Sequence, residues 1–113
     1  MAGSLFGIHG VALELRSQRM GLIASNIANA ATPGYKARDI DFAAALKASQ
    51  AGAKDPGQAA ALYRRPNMNS LDGNTVELAA EQVAFAENAV GYSATLSFIR
   101  GRVETITRAL KGD

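Results

Sequence analysis

A chain of 113 residues with net charge +2, 48% hydrophobic but only 6% aromatic, is one domain's worth of sequence in which much of the apolar content is alanine. Zero cysteines exclude disulfides and thiolate chemistry, and a pI near 9.2 with basic residues scattered among acidic ones excludes a nucleic-acid footprint. Alanine heads the helix-propensity ranking, so the composition favours long helices over a thick private core and implies a chain only marginally folded on its own.

The first element is a helix. Leu5, Ile8, Ala12, Leu15 and Leu22 recur at three- and four-residue steps, and Leu13, Met20, Ile23 and Ile27 form a second stripe beside them. A helix apolar on two sides has neighbours on both, either other molecules or the rest of a small bundle. Gly7 and Gly10 weaken its first turns by ~1 kcal/mol each, so they are helical only when packed. His9, the sole histidine, has no carboxylate before Glu14 and reads as a partly buried side chain rather than a ligand or base. No Lys or Arg precedes Arg16 and no apolar run approaches ~20 residues, so neither a cleaved secretory signal nor a membrane span is expected.

The corner follows in residues 24–35, ASNIANAATPGY. Pro33 lacks an N–H and drives Thr32 out of the α region, so the helix ends near Ala30 or Ala31. Asn26 and Asn29, three apart, share a face with small alanines beside them, which suits a specified contact with another backbone. For Asn29 and Gly34 the plainer reading, capping and turning, is equally open.

Residues 36–42 end in alternation, putting Ile40 and Phe42 on one side and Asp39 and Asp41 on the other. No histidine or third acid lies near these carboxylates, so a solvated or Arg-paired role is expected and no catalysis. Residues 43–61, rich in alanine and broken by Gly52, Pro56 and Gly57, read as a short helical turn and then a mobile linker. Residues 62–66 regain bulky side chains and residues 70–76 carry a tight-turn signal at Asp72-Gly73, so two short extended pieces are expected to pair here.

The last third predicts a helix over 79–111, ~48 Å long. Phe85, Ala89, Tyr92, Leu96, Ile99, Val103, Ile106 and Leu110 step by four and three like a coiled-coil seam. A small strip, Val83, Val90 and Ala94, is read on an adjacent face as a close contact for another subunit. Glutamates lie early and Arg100, Arg102, Arg108 and Lys111 late, matching the helix dipole.

The stretch SNIANAATPGYKARDIDF resembles the N-terminal motif of the flagellar rod and hook proteins, carried here by Ser25, Asn26, Asn29, Thr32, Pro33, Gly34 and Tyr35. Residues 63–103 resemble the matching stretch of a proximal rod member of that family. Position 79 departs from it: members carry an aspartate there, which resembles a helix N-cap, and this chain has Ala79. The resemblance implies a structural subunit that leaves the cytoplasm uncleaved through the flagellar export channel. It implies a place in the periplasmic rod of the basal body, among copies of itself, other rod proteins, the rod-base/MS-ring adaptor and the export gate.

The expected architecture is all-α: one domain over 1–113, with N-terminal (1–31) and C-terminal helices paired antiparallel like a coiled coil and a short extended or irregular middle over 32–78. No cofactor and no enzymatic activity is expected, since no phosphate-binding loop and no nucleophile beside a base is present. The alternative from another class is a soluble helical adaptor or export chaperone that grips one amphipathic helix.

Overall fold

The computed structural model describes residues 6–63 and 71–112. In chain order its elements are α1 (Gly7–Ala28), β1 (Arg38–Ile40), α2 (Phe42–Gln50), α3 (Pro56–Ala59), β2 (Ala61–Tyr63) and α4 (Leu78–Lys111). The long helices occupy the proline-free ends of the chain, as helix propensity requires. α1 closes at Asn29, whose N–H reaches Ser25 and Asn26 carbonyls at 3.1 and 3.2 Å, just ahead of Pro33. α4 ends on Gly112 in the left-handed region, φ 77°, which satisfies its last carbonyls without a Cβ clash. None of the helices among the described residues is long and apolar enough to cross a membrane.

The middle is folded where a mobile linker was expected. Asp41 accepts the Ala44 N–H at 3.1 Å and starts α2; Asp55 accepts the Gln58 N–H at 3.1 Å and, with Pro56 in the first turn, starts α3. β2 pairs antiparallel with β1, Arg38 opposite Tyr63, Asp39 opposite Leu62 and Ile40 opposite Ala61. The pairing expected between pieces of residues 62–76 therefore gives way to β1 for Leu62 and Tyr63, and its remainder falls partly on residues 64–70, outside the described residues. The turn at Asp72-Gly73 does form, with Gly73 at φ 76°. It lays residues 72–75 along residues 34–37 instead: the Gly34 N–H donates to Asp72 at 2.8 Å, the Thr75 N–H to Tyr35 at 2.9 Å, and the Ala37 N–H to the Thr75 hydroxyl at 2.8 Å.

α1 is covered on both sides by its own chain. Leu15 joins Ile40, Ala45 and Ala60 in the core, with Val11, Leu22, Phe42 and Leu46 packed around them. α4 runs antiparallel along another side: Asn26 lies opposite Glu81, Arg16 opposite Gly91, and His9 opposite Phe98, ring centroids 4.3 Å apart. The chain itself thus covers Leu15 and Ile23, one from each apolar stripe of α1, while Ile8 is exposed at 44% and Leu5 lies outside the described residues.

Two expectations about α4 are corrected. Of the seam, Ile99 is buried and Phe85, Ala89, Tyr92, Leu96 and Ile106 are half-buried, but Val103 and Leu110 are exposed at 42% and 84%. α1 is ~33 Å long against ~51 Å for α4, and its described residues end opposite Phe98, so the last turns of α4 project beyond it. The fully buried positions facing the pair are Glu81 and Asn88, off the seam's centre. The strip Val83, Val90 and Ala94 is exposed as expected, yet it is not adjacent: Val83 and Val90 each lie two residues past a buried position, about 200° round the helix. The helix also begins one residue before Ala79, after Glu77, whose side chain makes no cap bond.

Candidate functional site

The residues of the corner motif converge on Asn26, which is 0% exposed. Its Nδ2 donates to the Arg38 carbonyl and to Glu81 Oε1, both at 2.7 Å, while its Oδ1 accepts the Arg38 N–H at 3.0 Å and the Tyr35 hydroxyl at 3.4 Å. A carboxamide offers two donors and two lone pairs, and all four are used. Such a group is fixed in place, because losing any partner would strand a buried polar atom.

Asn29 plays a separate part. It donates from Nδ2 to the Ser25 carbonyl at 2.8 Å and accepts from the Thr32 hydroxyl at 3.1 Å, so it closes the helix end as a capping residue. The Asn pair is therefore not one shared contact surface: Asn26 faces inward and Asn29 the rim. Ser25 and Tyr35 hydroxyls lie 3.1 Å apart, Pro33 is exposed, and Gly34 supplies the φ of 75° that the turn needs.

Asn74 was not singled out by the sequence, yet it completes the corner. From the turn before α4, its Nδ2 lies 3.0, 3.2 and 2.7 Å from the carbonyls of Asn29, Ala30 and Thr32, just past the end of α1, and its Oδ1 accepts the Val76 N–H at 2.7 Å. Its only sequence signal was its place after Asp72-Gly73, where the Asp72 carboxylate accepts its N–H at 3.0 Å. Lys36 adds a bond from its Nζ to the Gly73 carbonyl at 2.5 Å.

Beside this network Arg19 grips Asp39 in a fork, Nε to Oδ1 at 2.7 Å and Nη2 to Oδ2 at 3.0 Å. The hydrogen bond to Asp39 holds the Arg19 guanidinium above its ordinary pKa, against partial burial that pulls the other way. Arg16 lies across α4 at Gly91 and stacks on Phe42, 4.3 Å from the ring centroid, so one side chain ties α1, α2 and α4 together. These groups bond one another and build a fixed corner. Among the described residues no cluster of His, Cys, Asp or Glu could hold a metal ion.

The other feature is the outer surface of α4. Val83 and Val90 are exposed at 57% and 71% on the side turned from α1, and Ala94 is exposed with them. Val103 and Leu110 add apolar surface at the projecting end.

Known proteins match these same parts. The family described as Flagella basal body rod protein matches residues 7–36, that is α1 and the corner. The flagellar basal body rod protein FlgB of Cereibacter sphaeroides is 48% identical over 120 residues, covering 95% of this chain and 94% of its own. The chain belongs to the FlgB family of flagellar basal-body rod proteins. FlgB of Escherichia coli K12 is 39% identical with 88% of each chain covered, and FlgB of Salmonella typhimurium LT2 is 38% identical with 89% of this chain and 88% of its own covered. FlgB proteins are structural, and this chain is not an enzyme.

Proposed function

We propose that the chain is a structural subunit of the flagellar basal-body rod, building the rod's proximal part by helical assembly with copies of itself and with other rod proteins. The observation that carries this is the 48% identity to a FlgB protein across 95% of the chain. The exposed strip Val83, Val90 and Ala94 supports it, because it lies on the side of α4 turned from α1, where the apolar side chains of Val83 and Val90 are more than half exposed in the isolated chain. That strip serves as the intersubunit face, and the projecting end of α4, with Val103 and Leu110, gives each subunit an axial reach beyond its own bundle. The corner motif contributes from within, by holding the helices at the angle a neighbour meets. Export without a cleaved signal, residence in the periplasmic rod, and contacts with the rod-base/MS-ring adaptor and the export gate complete the proposal on the strength of the family.

The test is an epitope-tagged copy expressed in a strain lacking its own FlgB, followed by purification of basal bodies. Tagged chain in intact basal bodies and restored swimming are expected. A tagged chain found only in a soluble complex of fixed stoichiometry with one helical partner would overturn the proposal in favour of an adaptor.

A further inference from the structure

The last turns of α4 carry their apolar residues on one line. Val103, Ile106 and Leu110 continue the seam past the described start of α1, and Val103 and Leu110 are exposed. Arg102 flanks that line on one side and Arg100 and Lys111 on the other, about 70° to 110° round the helix from it. None of these three bases bonds an acid among the described residues, whereas Arg108, on the far side of the helix, lies 3.9 Å from Glu104.

A groove of similar length opens on α1. Between α1 and the loop that joins α2 to α3 is a cleft of about 570 Å³, with half-buried or buried Val11, Leu15 and Pro56 inside it and exposed Glu14, Lys54 and Asp55 at its rim. Gln18 and Asp55 also line a second cleft of about 350 Å³, beside Leu22 and Ile40, so the groove continues along α1. From Val11 to Leu22 it measures ~16 Å, against ~18 Å for residues 100–111. The chain's own α4 does not occupy it, because Glu14 and Gln18 each stand two residues from Arg16, about 200° round α1 from the side that α4 covers. Glu14 bonds no base among the described residues.

We propose that this groove receives the projecting end of α4 from a second copy of the chain. Copies that share one direction bring that end in antiparallel to α1, as their own α4 already runs. Val103, Ile106 and Leu110 then cover Val11 and Leu15, Lys111 comes to Glu14, and Arg102 lies toward Asp55; Lys54 is the charge that opposes them. The end of one subunit enters the side of the next, so the contact is heterologous and extends into a line of copies rather than a closed pair. This rests on the reading of the chain as an assembling subunit and names the surface that its projecting end meets.

The chain has no cysteine, so Ser49→Cys in the groove and Ala109→Cys at the projecting end report the contact by oxidative cross-linking of the purified full chain. Mixing the two single variants is expected to give the mixed disulfide dimer in excess over either symmetric dimer, and one chain with both cysteines is expected to give a ladder. Glu14→Arg and Lys111→Glu should each abolish that excess, their combination should restore it, and Lys54→Glu should increase it. All three charge positions are exposed, and circular dichroism checks that each variant keeps the parental helicity. Symmetric dimers in excess, no cross-link at all, or a mixed dimer indifferent to the charge reversals overturns the inference. None of these results touches the uptake of the tagged parental chain into basal bodies, which decides the function proposed above.

Discussion

Asn26 holds Arg38 by both backbone groups, donating to its carbonyl at 2.7 Å and accepting its N–H at 3.0 Å. A side-chain amide on α1 does for β1 what a neighbouring strand would do, so the ribbon is closed by α1 on one edge and by β2 on the other.

Asn26→Ala should therefore strand both Arg38 groups and cost about 2 to 4 kcal/mol in urea denaturation. Asn29→Ala, at the half-exposed helix end, should cost about 1 kcal/mol or less. Equal losses would mean that the two asparagines share one role.

Asn74→Ala removes the donor that serves three carbonyls at the end of α1. Amide exchange should accelerate across residues 29–35 and in the Val76 N–H while the middle of α4 stays protected. Unchanged protection at the corner would show that the turn closes without Asn74.

Gly91 leaves room for Arg16: a Cβ there would lie 2.5 Å from a guanidinium nitrogen. Gly91→Ala gains about 1 kcal/mol of helix propensity but pushes Arg16 off the Phe42 ring, so its net effect should be near zero. In an Arg16→Ala background the same substitution should stabilise by the full propensity gain. A double-mutant cycle by thermal melting measures the coupling, and no difference between backgrounds would refute it.

Leu15→Ala should destabilise the monomer by about 2 to 5 kcal/mol, because Leu15 is a fully packed core residue. Leu110→Ala and Ala94→Glu should each stay within about 0.5 kcal/mol in the monomer and yet reduce incorporation into basal bodies. Ala94→Glu unfolding the monomer would place that face inside a closed bundle.

Arg19 carries the pH argument. Its pKa is raised in the folded chain, chiefly by the Asp39 hydrogen bond. A group raised on folding contributes fully below its unfolded pKa and loses that contribution only as pH rises through the folded one, which for a guanidinium lies above any working pH. Arg19→Gln should cost about 1 kcal/mol, discounted for partial exposure, and equally at about pH 7 and about pH 10. A penalty that fades by about pH 10 would contradict this sign.

The parts of the fold legible in the sequence were those written locally. Pro33 and Gly34 stop α1, and the long proline-free run gives α4. Asp41 and Asp55-Pro56 were equally local start signals, but the alanine and glycine around them resembled a linker, so α2 was read only as a short helical turn and α3 not at all. The helix contact was misjudged for another reason: hydrophobic periodicity counts apolar residues, while of the three buried residues of α4 only Ile99 is apolar and the other two are Glu81 and Asn88. Asn74 was signalled only by its place after Asp72-Gly73, because the three carbonyls its side chain serves lie more than forty residues earlier in the chain.

That long loop has a consequence for any shortened chain. The carbonyls just past α1 gain a side-chain donor only from Asn74, and the amide of Asn26 finds its carboxylate only at Glu81. A fragment that stops short of residue 74 therefore keeps the bonds among residues 25–38 but lacks both side chains, Asn74 and Glu81, that tie the end of α1 to the last third of the chain.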